Sequence, residues 1–294
     1  AKKYAEYFRQ INKGIPFFIG PPTFLKLSKG IPANRFADAV VALANVYKEA
    51  LQGLSEAHIE EPILVTNLTK AEIVAIKKAY TIMAGSKARI SLITYYESVD
   101  FLKELYTWPV AAIGLDFVHG NGTGNLKQIK KLGFPKNKTL IAGVIDGRNV
   151  WKVDPVRVFN LYKELSSHAP DMAISNAGPL FHLPISIKQE RLDPELVKRL
   201  SFAEEKLEEI KAIAQIWDGK KSPQPANLGP LGVRADVRQR VKSLSSADFR
   251  KSIAYARRKK IQDKILHLPI FPTTTIGSFP QTREVRKMRA DLRA

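Results

Sequence analysis

Cysteine is absent from the 294 residues. That excludes a disulfide framework, a thiolate metal ligand and a cysteine nucleophile, and it suits a reducing compartment. No apolar run approaches the roughly eighteen residues needed to cross a bilayer, so no membrane partner is expected. The five histidines His58, His119, His168, His182 and His267 are scattered. None stands four residues from another, the spacing that would set two imidazoles on one helix face, so no metal site is expected among them. There is no low-complexity tract and no internal repeat of about 20 to 50 residues, which argues against a solenoid. The opening stretch Ala1–Glu6 has neither an initiator Met nor an apolar signal region, so a cytoplasmic fragment is the expectation.

Acidic residues are also in short supply, with 28 Asp and Glu against 47 Lys and Arg and a formal net charge of +19. The imbalance is local. From Lys220 onward the chain carries 18 Lys and Arg against 5 Asp and Glu, whereas the preceding 219 residues carry 29 against 23. The density peaks at Arg257–Lys260, inside a stretch from Asp236 to Leu266 that reads as helical. Clustered cations neutralise phosphates without any special fold, which makes a basic nucleic-acid-binding module one reading. The cluster lacks interleaved aromatics for base stacking and fits no nucleic-acid module, so no specific nucleic acid is expected. Attraction of an acidic ligand is a second reading. A solvated linker helix is the expected one.

What is present is ordinary globular composition, 45% apolar and 26% charged, enough to bury a sizeable core. Residues 1 to about 217 alternate short apolar strands with amphipathic helices, which predicts an α/β fold with a parallel sheet wrapped by helices. Strands are expected at Pro16–Ile19, His58–Leu64, Ile90–Tyr95, Ala111–Phe117, Leu140–Ile145 and Met172–Ser175. Helices are expected at Phe36–Leu54, Lys70–Met83, Val99–Leu105, Asn125–Leu132, Pro155–Leu165 and Pro194–Gln215. Asp193 before Pro194 supplies an N-cap carboxylate and a proline at the first helical position. Six βα units are two short of a closed (β/α)8 barrel. Lys220–Pro230 is rich in Pro and Gly and reads as a linker.

In such a fold chemistry sits at the carboxyl ends of the strands, where Glu60, Glu61, Glu97, Asp116 and Asp146 fall. Two of these could act as general acid and base, as in a barrel hydrolase. The plainer expectation is that Glu61 and Asp146 bond to loop amides or to Arg148 and shape turns. His119–Asn125 lies between a strand and a helix, where a phosphate cradle could form. Its glycine spacing fits neither the dinucleotide fingerprint nor the Walker loop. Trp108, Trp151 and Trp217 read as core or loop anchors before stacking platforms.

The most informative run is Leu268–Thr282, LPIFPTTTIGSFPQT, in which threonines and Ile276 favour a strand and Gly277-Ser278 lets backbone approach a ligand. It resembles the start of the catalytic half of cobalamin-independent methionine synthase. Upstream, Phe18–Leu25, His58–Pro62, Ala142–Trp151, Leu180–Pro184 and Phe202–Leu207 resemble successive motifs of the same family's amino-terminal barrel. The likeness spans about Pro16 to Thr282. It departs at Glu60, where Asp is expected, at Pro22, where Val is expected, and at Asn176–Gly178, which replaces a Ser-rich stretch. The resemblance implies an incomplete (β/α)8 barrel over residues 1–217, lacking its first two units, a basic linker with helix over 218–267, and the first strand of a second, catalytic barrel in 268–294. It implies that the parent, a monomer at full length, methylates homocysteine from a 5-methyltetrahydrofolate polyglutamate without cobalamin. It further implies that Ile276, Gly277 and Ser278 contact homocysteine, with Gln281 and Thr282 shaping the same pocket. The family's zinc is held by His, Cys, Glu and Cys of the second barrel, none of which this chain reaches, so the piece alone is expected to be inactive. The acidic ligand of the basic tail would then be the folate's glutamate tail.

Overall fold

The computed structural model describes residues 6–7, 14–120, 124–225, 231–274, 277 and 281–293. The chain divides into two compact units, Ala1–Leu228 and Gly229–Ala294.

In the first unit six parallel strands pair in the order of the sequence: β1 (Phe17–Ile19), β2 (Glu56–Glu60), β3 (Arg89–Ile93), β4 (Ala112–Asp116), β5 (Thr139–Asp146) and β6 (Met172–Ala177). Parallel neighbours need a crossover between them, and helices supply it: α1 (Pro21–Leu27) and α2 (Phe36–Leu51) after β1, α3 (Lys70–Ala84) after β2, α4 (Leu102–Leu105) after β3, α5 (Gly124–Leu132) after β4, α6 (Pro155–Ser166) after β5. After β6 come α7 (Pro194–Val197) and α8 (Ala203–Trp217). This is the sequential βα winding of a TIM-type barrel, with six units as expected. Strand β4, in the middle, is buried at every residue, the signature of a parallel strand covered on both faces. On the first strand Phe17 and Ile19 remain exposed.

Apolar faces of the helices close the core. Val40, Ala44 and Tyr47 on α2 and Ile76, Ala79, Tyr80 and Met83 on α3 are buried with Ile59, Leu92 and Leu115 of the sheet. Local signals set several helix starts. Thr69 and Glu72 form a reciprocal capping box on α3, and Asp154 and Asp193 cap α6 and α7, each followed by Pro.

Several elements differ from the pattern-based expectation. The strand expected over His58–Leu64 ends at Glu60, because Pro62 lacks an N–H and opens a 3-10 turn over Pro62–Val65. The helix expected over Val99–Leu105 is one turn, Leu102–Leu105, since the Val99 amide donates to Asn125 Oδ1. The helix expected over Pro194–Gln215 is broken in two. Leu200 bridges Trp151 antiparallel, and Ser201 N and Lys152 N donate to Val150 and Arg199 carbonyls, drawing the chain out of helical dihedrals. In the second unit the stretch Asp236–Leu266 forms two helices, α9 (Ala235–Ser243) and α10 (Tyr255–Leu266), separated by a turn in which Ser245 donates N–H and O–H to Asp248.

Helix α11 (Arg283–Asp291) follows, and none of α9, α10 and α11 buries a residue. Within Leu268–Thr274 no strand is formed; Pro269 and Pro272 cannot donate to a ladder, and among the described residues this unit offers no strand to pair with. Thr275 and Ile276, the rest of the expected strand, lie outside the described residues.

Candidate functional site

The carboxyl ends of β2 to β6 bring together side chains that are far apart in the chain. Tyr96, just past β3, is the centre of this mouth. Its backbone sits at φ +83°, a left-handed conformation that a bulky residue adopts only when its surroundings hold it there, at about 1–3 kcal/mol. The restraints are visible. Its N–H donates to Asp116 Oδ2 at 2.7 Å, its hydroxyl pairs with His182 Nε2 at 2.8 Å, and the Arg148 guanidinium lies 4.9 Å over its ring. Gly178, at φ +91°, faces the ring so closely that a Cβ there would lie 2.9 Å from it.

Asp116 is buried at the end of β4 and uses both oxygens. Oδ1 accepts from the Val118 and His119 amides at 2.7 and 2.9 Å, and Oδ2 also accepts from His119 Nδ1 at 2.6 Å. The far nitrogen of His119 is buried without a hydrogen bond, 3.6 Å from Asp146 Oδ1. Asp146 in turn accepts from the Arg148 and Asn149 amides at 2.8 and 3.2 Å, the Asx turn expected of the Asp-Gly-Arg-Asn loop. A register shift in β5 between Gly143 and Ile145 precedes it.

Glu60 and Glu61 end β2 with different fates. Half-buried Glu60 accepts from Tyr95 OH at 2.9 Å; burial raises its pKa and that bond opposes the rise. Glu61 is wholly buried. Its Oε2 accepts from Thr23 N and Oγ1 at 3.0 and 2.6 Å and its Oε1 from Tyr80 OH at 3.1 Å. Desolvation pushes its pKa up to about 8, against the pull of those bonds. A Cβ on Gly20 would overlap the carboxylate, so Gly20 is what lets α1 reach Glu61. Glu97 is exposed and turns back on the Ser98 amide.

The expectation of bonds to loop amides holds for Asp146, whereas Glu61 instead accepts from the Thr23 amide in the first turn of α1 and from the Thr23 and Tyr80 hydroxyls. With the oxygens of Asp116 and Asp146 committed to amides and His119, the mouth is a braced polar surface rather than a poised acid–base pair. Of the histidines, His119 and His182 meet at Tyr96, with ring centroids 5.6 and 6.3 Å away. Sequence reasoning did not single out Tyr95, Tyr96 or His182 as mouth residues; their position just past β3 and β6 was the available signal. Trp108 is core and packs on Tyr80, Trp217 stacks on Tyr162 at 4.6 Å, and Trp151 is half exposed beside its backbone bridge. In the His119–Asn125 loop, residues 121–123 lie outside the described residues, and buried Asn125 ties Val99 N to the Asp116 carbonyl. Among the described residues no group of three or more His, Cys, Asp or Glu is arranged to hold a metal ion.

In the second unit Ile276 and Ser278 lie outside the described residues. Gly277 has φ +80° with open space where a Cβ would be. Thr282 caps α11, its hydroxyl accepting from Val285 N at 3.3 Å, and Gln281 is exposed.

Residues 1–170 match the family model described as cobalamin-independent synthase, N-terminal domain, and residues 271–294 match the catalytic domain of the same synthase. The chain belongs to the cobalamin-independent methionine synthase family. A relative from Thermotoga petrophila, named 5-methyltetrahydropteroyltriglutamate–homocysteine methyltransferase, is 39% identical over 98% of this chain and 40% of its own length. One of the same name from Listeria monocytogenes is 37% identical over 98% of this chain and 40% of its own. This member of the family therefore spans about two fifths of the length of the relatives it matches. A solved B12-independent methionine synthase from Shewanella sp. W3-18-1, in complex with selenomethionine, shares the fold with a TM-score of 0.53 at 13% identity, covering 74% of this chain and 67% of its own. No helix among the described residues is long and apolar enough to cross a membrane.

Proposed function

We propose that this chain is part of a methyltransferase that makes methionine from homocysteine and a 5-methyltetrahydropteroyl polyglutamate without cobalamin. Residues 1–217 form the barrel that does no chemistry, 218–267 the basic connection, and 268–294 the entry to the catalytic barrel. The observation that carries this reading is the paired match, with the N-terminal domain model over 1–170 and the catalytic-domain model over 271–294. Within the second match, Ile276, Gly277 and Ser278 bind the amino-acid end of homocysteine, with Gln281 and Thr282 at the pocket's edge. The positive φ of Gly277 and the open space where its Cβ would stand support that role, because a residue without a side chain lets a ligand come close to the main chain. The family's zinc would make the homocysteine sulfur a thiolate nucleophile at neutral pH. The residues present do not fit that metal: the chain has no cysteine and, among the described residues, no ligand cluster.

The test uses a chimaera in which this chain replaces the matching two fifths of the Thermotoga petrophila relative. Ser278→Ala should raise the homocysteine KM by a few-fold to about a hundred-fold, the value of one hydrogen bond to a charged group. Gly277→Ala should do more, since a Cβ strains the positive φ. If both variants saturate with homocysteine as the parent chimaera does, the segment is only a turn.

A further inference from the structure

Tyr96 is a mouth residue whose backbone opposes its position. Bulky side chains rarely take a φ of +83°, and residues strained in this way gather at ligand clamps and switch regions, where their surroundings hold them. Groups from the three following strand ends do the holding. The His119 ring after β4 stands edge-on at 5.6 Å, Arg148 after β5 covers a face of the Tyr96 ring, and after β6 Gly178 abuts that ring while His182 pairs with the hydroxyl.

These restraints are unequal. The bond from the Tyr96 amide to buried Asp116 is partly sheltered, whereas the bond between its hydroxyl and His182 Nε2 lies at the surface. His182 itself sits on a single 3-10 turn, Leu180–His182, between Gly178 at φ +91° and Pro184, and the neighbouring Phe181 is 80% exposed. A turn with so little buried surface opens at low cost. One surface hydrogen bond and the strain of a left-handed tyrosine are of the same order, so the closed arrangement is poised rather than locked.

Beneath the ring lies a buried imidazole. The His119 side chain is 16% exposed; Asp116 holds its Nδ1, while its Nε2 is buried without a hydrogen bond and faces Asp146 Oδ1. We propose that Tyr96 is a gate over His119, latched shut by its hydroxyl bond to His182. On release the Tyr96 backbone relaxes to negative φ, the ring leaves His119 and Arg148, and the imidazole Nε2 and the Asp146 carboxylate meet solvent. The device is independent of the methyl-transfer reading.

The intact 294-residue chain is compared with Tyr96→Phe, His182→Ala and the double variant. Amide hydrogen exchange at position 96 reports the backbone, and diethylpyrocarbonate at single-hit modification, mapped by peptide mass, reports access to His119. Each single variant should raise both by a few-fold to about tenfold, the worth of one hydrogen bond, and the double variant should go no further because one contact has been removed twice. Modification of His58 and His168, and the urea midpoint, should stay the same in all four chains, which separates local opening from unfolding. His182 is exposed, so its replacement keeps the test sound where Tyr96→Phe disturbs folding. Unchanged exchange at position 96 in both single variants, His119 unreactive throughout, His119 as reactive as His182 in the wild type, or a parallel rise at His58 and His168 would each overturn the proposal.

Discussion

Replacing Glu61 by Gln removes a buried ionisation without removing its shape. In the native protein the Glu61 carboxyl is wholly buried among Thr23, Tyr80 and the glycine face of Gly20, and its polar partners are hydroxyls and an amide rather than a cation. The titratable groups facing it are Tyr47, Tyr80 and Tyr95, all with pKa raised chiefly by their own burial and further by Glu61, so they are neutral across the physiological range. Burial moves the Glu61 pKa from 4.5 to about 8. The sign follows from proton counting. Between those values the folded chain holds a proton that the unfolded chain has released, so stability is complete below about pH 4.5 and declines as pH rises through about 8. The slope is at most about 1.4 kcal/mol per pH unit, and the whole effect at most about 5 kcal/mol. The substituted carboxamide cannot ionise, its carbonyl can still accept from Thr23, and its NH2 group can donate to the Tyr80 oxygen. Urea denaturation followed by Trp108 fluorescence, which reports the packing beside Tyr80, should give equal stabilities at about pH 5 and a more stable variant at about pH 8.5. Glu61→Ala should instead lose about 3 kcal/mol or more, from three donors stranded without an acceptor. If wild type and Glu61→Gln fall in parallel from about pH 5 to 8, Glu61 is ionised in the fold and its three donors fully offset the desolvation.

Two further expectations concern backbone and charge. At Gly147 an added Cβ would stand 2.3 Å from the Gly178 carbonyl oxygen, so Gly147→Ala has to move the turn after β5 against the backbone after β6 and should cost about 1–3 kcal/mol by chemical denaturation; an unchanged midpoint would mean the two turns part easily. Binding of nucleic acid by residues 229–294 should be weak, equal for two unrelated oligonucleotides and steeply lost with salt, since the helices there offer many phosphate contacts and a single exposed aromatic, Tyr255, whose ring is covered by Arg258; tight, sequence-selective binding at physiological salt would make this unit a nucleic-acid module.

The sequence by itself pointed to the family through the resemblance of runs such as Leu268–Thr282, and determined the α/β class and the number of βα units because parallel strands such as the one through Ala112–Leu115 are continuous apolar runs and the linking helices carry 3.6-residue periodicity, both local signals. It also marked the helix start at Asp193-Pro194, whose chemistry lies within three residues. Breaks set by distant partners were not legible. The antiparallel bridge of Leu200 to Trp151 splits an otherwise continuous helical pattern, and nothing within either segment announces the other. Only the tertiary structure decided that Glu61 would be sealed beneath α1 while its neighbour Glu60 faces Tyr95, because the alternation of a strand tells which face a residue takes but not what covers that face. The same holds for the mouth. Tyr96, Asp116, Arg148 and His182 come from four strand ends, and they meet only because parallel winding delivers every strand's carboxyl end to one side of the sheet.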